Sequence, residues 1–339
     1  MMTRVSNGRT ARISAVLQGL AIALSLGSCM AFAQDRYPSK PIRMIVPFAP
    51  GGATDLAGRA ASGRLSTVLG QPIIIDNRVG AAGVVGTEVV ARSPADGYTL
   101  LYGASSTMLI VPVLDPRTPF DVLRDFEVVG QAAKLPLLLA ASATLGVSDL
   151  KGLRALITAN PPKFSYGSAG SGTGSHIAGA AFAAMIGAPQ VVHVPYKGTA
   201  PAIVDTIAGR LTYIFDGMGP LGEHIRSGKL IGIAIAEKER APQFPNIPSM
   251  SEIGLTEFLD YAWAPWIGIY APKGTSPAIV ERINGELNRA NRDPEFVKKL
   301  AELGFTPMTA TVAESRAEVV RQSTMWAPLI KKLNIRAGD

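Results

Sequence analysis

A chain of 339 residues, 47% of them apolar and 17% charged, is long enough for two domains of ordinary size and carries no low-complexity block. Its formal charge is +7, but the basic residues are scattered apart from Lys331, Lys332 and Arg336 and are not interleaved with aromatics, so no nucleic-acid partner is expected. The sole cysteine, Cys29, rules out a disulfide framework.

Arg4, Arg9 and Arg12 precede an apolar run over 19–26 and the small-residue site Ala31-Phe32-Ala33. This reads as a secretory signal peptide over 1–33, cleaved before Gln34. Leu26-Gly27-Ser28-Cys29 also fits a lipoprotein site with Cys29 as the lipidated first residue. Without the leader, 30 basic and 26 acidic residues leave a charge of +4. No later stretch reaches the roughly 18 unbroken apolar residues of a spanning helix, so an exported, soluble protein is expected.

Residues 42–48 (IRMIVPF) form the first predicted strand. They run into the glycine turn Pro50-Gly51-Gly52 and a helix over 55–69 that Gly70 ends. Residues 73–75, all isoleucine, read as a strand buried on both faces of a parallel sheet. A second glycine turn, 76–83, leads to a helix through 87–91; a third strand, 98–102, leads to a small-residue loop over 103–107. Strand, loop and helix repeated three times predict a doubly wound α/β sheet that binds its ligand at the carboxyl ends of the strands.

The apolar stretch 128–141, with Pro136 inside it, is read as the crossing into a second domain, where the pattern recurs. Strands are predicted at 163–166, 191–194, 211–215 and 231–236, with helices at 175–186 and 201–208. Gly51 and Gly80 are 29 residues apart, and Gly170 and Gly198 are 28, which argues for two lobes of one architecture. A strand over 263–270 carries the chain back, and helices opened by Ser276-Pro277 and Asp293-Pro294 and a last one over 311–332 follow. Two crossings make a hinge, and the cleft between hinged lobes is a place for a small ligand.

Pro50-Gly51-Gly52 permits close approach of an anion to bare backbone, or is simply a tight turn. Asp55 at the following helix start is either a cap or a ligand contact; as a contact it would orient a water or accept from an ammonium group. The run 168–174 offers N–H and hydroxyl donors ahead of a helix, as the other half of an anion clamp or as a linker. His176 is a donor or a packing residue, Lys197 a complementary charge or a solvated one, Tyr196 a contact or a lobe-packing ring. There is no Gly-Lys-Ser/Thr loop, no Gly-x-Gly-x-x-Gly at the first helix and no Gly-x-Ser-x-Gly elbow. His176, His193 and His224 lack metal-ligand spacing. Neither catalysis, a cofactor nor a metal is expected.

Pro47-Phe48-Ala49-Pro50-Gly51-Gly52-Ala53-Thr54-Asp55, Gly70-Gln71-Pro72 with Asp76-Asn77-Arg78, Gly80-Ala81-Ala82-Gly83, Asp96-Gly97-Tyr98-Thr99, Val194-Pro195-Tyr196-Lys197-Gly198 and Ala271-Pro272-Lys273-Gly274-Thr275 together resemble the Bug family. These are substrate-binding proteins of tripartite tricarboxylate transporters, and the resemblance covers nearly the whole chain after the leader. It implies an α/β, two-lobe periplasmic-binding-protein fold of type II, the Venus flytrap, with lobe 1 over 34–138 plus 263–339 and lobe 2 over 139–262. It also implies a monomeric receptor that hands a small carboxylate (a di- or tricarboxylate, an amino acid or an aromatic acid) to membrane permease subunits. The ligand contacts implied in lobe 1 are Phe48, Ala49, Pro50, Gly51, Gly52, Asp55, Ala104, Ser105, Ser106 and Thr107. Those in lobe 2 are Ser168, Ala169, Gly170, Ser171, Thr173, His176, Tyr196, Lys197, Gly198 and Asp216. Where the family commonly continues toward Asn-Pro after the third strand, this chain has Met108-Leu109-Ile110-Val111-Pro112. A solute sensor for a membrane kinase and a secreted enzyme acting on an anionic substrate are the alternative functions.

Overall fold

The computed structural model describes residues 37–260, 265–332 and 335, so the leader, Cys29, Trp263 and Arg336 lie outside the described residues. Everything below belongs to the unit Lys40–Asp339. Eleven strands are described: β1 (Ile42–Val46), β2 (Ile73–Asn77), β3 (Thr99–Ala104), β4 (Phe126–Lys134), β5 (Leu137–Ser142), β6 (Ser165–Ser168), β7 (Val192–Pro195), β8 (Tyr213–Gly217), β9 (Leu230–Ile235), β10 (Trp266–Pro272) and β11 (Thr306–Pro307).

They form two sheets, ordered β11-β4-β10-β3-β1-β2 and β7-β6-β8-β5-β9. The orders match. In each sheet three parallel strands (β2, β1, β3; β7, β6, β8) are followed by an antiparallel strand, β10 or β5, and then by one running with the first three, β4 or β9. The antiparallel strand is in both cases the one that enters just after the chain has crossed from the other sheet, and β11 only adds a two-residue edge. The expected correspondence of the two halves is therefore one of topology. The chain is thus a mixed α/β protein of two lobes, each built on one sheet.

Helices cover the sheets: α1 (Ala53–Leu69), α2 (Val84–Ala91) and α3 (Ser105–Leu109) follow β1, β2 and β3. In the second half, α4 (Leu150–Ala159) precedes β6, and α5 (Gly174–Met185), α6 (Thr199–Ile207) and α7 (Met218–Arg226) follow β6, β7 and β8. The chain then returns to the first sheet with α8 (Pro277–Ala290), α9 (Pro294–Glu302), α10 (Val312–Ser323) and α11 (Trp326–Lys332). The central strands are apolar enough to be covered on both sides: β5 and β10 are buried at every position.

Four expectations need correction. β2 is an edge strand, and Ile74 is 56% exposed, because a run of isoleucines has no period by which to tell one covered face from two. The loop expected over 103–107 is instead the end of β3 and the short helix α3, whose small residues pack closely enough to be wholly buried. The single helix expected over 311–332 is two, broken between Ser323 and Trp326. Helices α4 and α7 went unread; the first is capped by Asp149 through Gly152 N–H at 2.8 Å.

The two crossings run side by side. Leu135, between β4 and β5, donates its N–H to the carbonyl of Pro265, which precedes β10, at 2.7 Å. Asn291 and Asn284 tie the returning helices to the first sheet through the carbonyls of Ala132 and Val129.

Candidate functional site

The carboxyl ends of both sets of parallel strands point at one seam, and a cavity of about 50 Å³ lies there. From the first lobe it is lined by Phe48, Gly52, Ala53 and Thr54 after β1 and by Ala104 and Ser106 after β3. The second lobe contributes Ala169, Thr173, Gly174 and Ser175 after β6, Thr199 after β7, and Asp216 at the end of β8. Leu135, Leu137, Pro265, Trp266 and Ile267, from the crossings, form the floor. No lysine, arginine or histidine is among these residues.

Helix ends supply the donors instead. Helices α1, α5 and α6 all begin at the cavity, and none carries a side-chain cap. The four helices and helical turns with an Asp or Thr side-chain cap, beginning at Val122, Leu150, Pro294 and Val312, start at residues that do not line it. A helix leaves its first N–H groups without intrahelical partners and concentrates positive dipole there, so three uncapped starts make the seam attractive to an anion without any formal positive charge.

The lobes touch around the cavity. Ala49 donates its N–H to the carbonyl of Lys197 at 3.2 Å. Gly198 has φ +132°, and a Cβ there would lie 2.9 Å from the nitrogen of Ala49; Gly170 has φ +131°, and its Cβ would lie 3.0 Å from the Cα of Ala82. Both positions thus need glycine twice over, for a backbone angle that L-residues rarely adopt and for approach of the facing lobe. Opposite Gly170, Ala81 and Ala82 are themselves left-handed, at φ 45° and 53°, and the Thr107 hydroxyl donates to the Ala82 carbonyl at 2.9 Å.

Asp55 is 1% exposed and does not line the cavity. Its Oδ2 accepts from Gly51 N–H at 3.0 Å and from Arg59 Nε at 2.8 Å, and its Oδ1 from Asn77 Nδ2 at 2.9 Å. Burial pushes its proton affinity up, but the donors from Arg59, Gly51 and Asn77 outweigh that and hold the carboxyl below the ordinary aspartate value. Asp55 fastens the Pro50-Gly51-Gly52 turn to β2 and α1, and the turn presents Gly52 to the cavity.

The loop 168–173 is fastened in the same way, from within. Ser168 Oγ accepts from Gly170 N–H at 3.0 Å, Ser175 Oγ from Ala169 N–H at 3.0 Å, and His176 Nδ1 from Gly172 N–H at 2.9 Å. Thr173 donates its hydroxyl to the Gly170 carbonyl at 2.6 Å. His176 is 1% exposed and stacks on His193 at 3.8 Å, with the Tyr166 ring beside both, 5.0 Å from His193 and 6.3 Å from His176. Burial, with His193 beside it, pushes the His176 pKa down to about 3, so the ring is neutral and its Nδ1 is an acceptor. His193 Nε2 lies 2.6 Å from Ser168 Oγ, but Ser168 is 0% exposed and does not line the cavity; the pair anchors the loop.

Asp216 behaves differently. It is 4% exposed; the Thr199 hydroxyl and the Gly217 N–H donate to its carboxylate, and its Oδ2 has no hydrogen-bond partner. Burial pushes its pKa up to about 6 against those two bonds. Among the described residues it is the single ionisable side chain on the cavity wall.

Of the sequence-derived contacts, then, Phe48, Gly52, Ala104, Ser106, Ala169, Thr173 and Asp216 meet at the cavity. Gly170, Ser171, Tyr196 and Lys197 line an adjoining groove of about 850 Å³ that also includes Leu114 and Arg117. Ala49, Gly51 and Gly198 lie at the seam between lobes and Pro50 in the turn beside it; Gly51 approaches Ala200. Asp55, Ser168 and His176 are spent on holding loops, as are Thr107 and Ser105, whose Oγ accepts from Trp266 N–H at 3.2 Å. Thr199, Thr54, Ser175 and the apolar floor were not singled out in sequence. Thr199 follows the glycine turn before α6 and was legible as a helix start; Trp266 and Leu137 belong to the site only because of where the crossings pass. Among the described residues no group of three or more His, Cys, Asp or Glu could hold a metal ion, and no helix is long and apolar enough to cross a membrane.

A profile of the tripartite tricarboxylate transporter family receptor matches residues 57–335. The chain belongs to this receptor family. Among its relatives is Protein BugT of Bordetella pertussis, 37% identical over 322 residues, which are 95% of this chain and 97% of that one. The fold is similar to that of the periplasmic binding protein BugD, with a TM-score of 0.82 and 31% identity over 88% of this chain and 99% of that one. It is also similar to R. palustris Rpa4515, solved with adipate, with a TM-score of 0.84 and 28% identity over 88% and 99% of the two chains. The receptor's Bug-family character thus rests on likeness over nearly the whole chain.

Proposed function

We propose that this receptor captures a small carboxylate in the seam between its lobes and hands it to the permease of a tripartite tricarboxylate transporter. The observation that carries this is the convergence of three uncapped helix starts, from both lobes, on one cavity that holds no basic side chain among the described residues. Such a site recognises a carboxylate through backbone N–H groups and hydroxyls, and it is complete only when the lobes are together. Binding therefore favours the closed state by the contacts available only there. The adipate held by Rpa4515 fits this chemistry.

The receptor acts as a monomer in the periplasm, reached through cleavage of its leader, and catalyses no reaction. The Ser168–His193 pair supports the last point: its serine is fully buried and already accepts from Gly170, so it offers neither a reachable nucleophile nor a place for substrate. The test is native mass spectrometry of gently purified protein, followed by calorimetry with dicarboxylates, tricarboxylates, amino acids and aromatic acids. Binding confined to neutral or cationic solutes overturns the proposal.

A further inference from the structure

Among the described residues, the cavity proposed to take an anion holds a single ionisable group, and that group is an acid. An ionised Asp216 facing a ligand carboxylate would set two like charges in a small enclosure, with no cation on the wall to separate them. Yet the residue is built in: its carboxylate takes one hydrogen bond from Thr199, on a helix that opens at the cavity, and one from its own strand neighbour Gly217, and Oδ2 is buried without a partner. A buried carboxyl with an open oxygen is completed either by a donor on the ligand or by a proton.

We propose that Asp216 binds the ligand in its protonated form, donating from its carboxyl group to a ligand carboxylate oxygen, so that capture of each carboxylate takes up one proton from solvent. This rests on the carboxylate reading above. The proton balance is simple: one proton enters with the ligand and sits in the hydrogen bond between Asp216 and the ligand carboxylate, and one leaves on release.

The surroundings favour the proton over the anion. β5, next to β8, carries no ionisable residue, and on the next strand Tyr166 is stacked on His193. Of the helices packed against β8, α5 presents His176, neutral and spent on Gly172. On α6, Asp205 is held by Arg210 and the Tyr196 hydroxyl. On α7, Glu223 and Arg226 pair with each other, with His224 half-buried between them in sequence. From the first lobe, α1 presents Ala53 and Thr54 to the cavity and keeps Asp55 bound to Arg59. Among the described residues no charged group offsets Asp216 in the free protein, and burial has already raised its pKa to about 6. An approaching carboxylate raises its proton affinity further.

The experiment is calorimetry of the full chain with succinate, malate and adipate, in buffers of different ionisation enthalpy and across pH, for wild type, Asp216→Asn and Asp216→Ala. Wild type is expected to take up close to one proton per acid bound at pH well above 6, and its affinity to fall about tenfold per pH unit there. In Asp216→Asn the amide oxygen keeps Thr199 and Gly217 and the amide nitrogen donates permanently, so affinity is retained, with no proton uptake and no fall with pH; Asp216→Ala loses binding at every pH. Wild-type binding without proton uptake, or weakened binding in Asp216→Asn with an amino or hydroxy acid favoured over a plain diacid, overturns the proposal and leaves the carboxylate reading standing. No binding of any acid at any pH overturns both. Independently of ligand, a carboxyl ¹³C titration of the free protein in which Asp216 ionises like an exposed aspartate overturns it as well.

Discussion

Burial raises the proton affinity of any carboxylate, and whether it stays raised depends on what donates to it. Asp55 and Asp216 are both buried, yet three donors hold Asp55 below the ordinary value, while two leave Asp216 above it. Opposite linkage follows. Asp216 binds its proton more tightly folded than unfolded, so its ionisation costs stability above about pH 6 and costs nothing below the ordinary value of 3.8. Asp216→Asn is therefore expected to stabilise the ligand-free protein at pH well above 6, by up to about 3 kcal/mol, and to leave it unchanged near pH 3.8, as urea unfolding at the two pH values will read. Asp55 contributes stability that is present above its unfolded value and lost as pH falls through its lowered folded one. Asp55→Ala is expected to cost about 2–4 kcal/mol at neutral pH, because it strands the Gly51 N–H, removes one of the two acceptors of Asn77 Nδ2 and leaves Arg59 without its carboxylate. The sequence could not separate the two residues. Each stands beside a helix start that follows a strand, and what distinguishes them, Asn77 and Arg59 for one and an open oxygen for the other, is set by tertiary contacts.

Helix starts and glycine turns were the legible part of the site, since both are written in short stretches of sequence. The turns at Gly51, Gly170 and Gly198 were read at the right places, and the helices after them begin at the cavity. What stayed hidden were elements whose role depends on the other lobe: the floor made by Leu137 and Trp266, and the exposed face of β2, whose isoleucines fit either a covered or an edge strand. The turns also supply a test of closure. Gly170→Val and Gly198→Val place a branched side chain at positive φ against Ala82 and Ala49 of the facing lobe. Each is expected to weaken ligand binding at least tenfold and to keep the two lobes apart in solution scattering with ligand present, beyond a loss of about 1–2 kcal/mol in ligand-free stability. The pair of left-handed alanines facing Gly170 stores strain of about 1–2 kcal/mol each, so Ala82→Gly is expected to raise the thermal midpoint.

For the molecule as a whole, the proposed site would attract a carboxylate by dipoles rather than by formal charge, and dipoles at a cavity lined mostly by apolar and uncharged groups are less screened than charges on the surface. Affinity for a dicarboxylate is accordingly expected to change by less than about threefold between ~0.01 M and ~1 M salt, over which the screening length falls from ~30 to ~3 Å. A drop of tenfold or more would mean that surface charges, such as Lys197 or Arg117 at the adjoining groove, draw the ligand in. The matching strand orders carry a further consequence, for the direction in which the chain is made. The second sheet is complete once β9 has emerged, since β5 to β9 are consecutive. The first sheet begins with β1 but lacks its central strand β10 until residue 266 and beyond are available, so β3 and β4 wait with unpaired edges on either side of a gap. During synthesis the lobe that starts first finishes last, and the carboxy-terminal third of the chain completes the lobe that its amino-terminal third began.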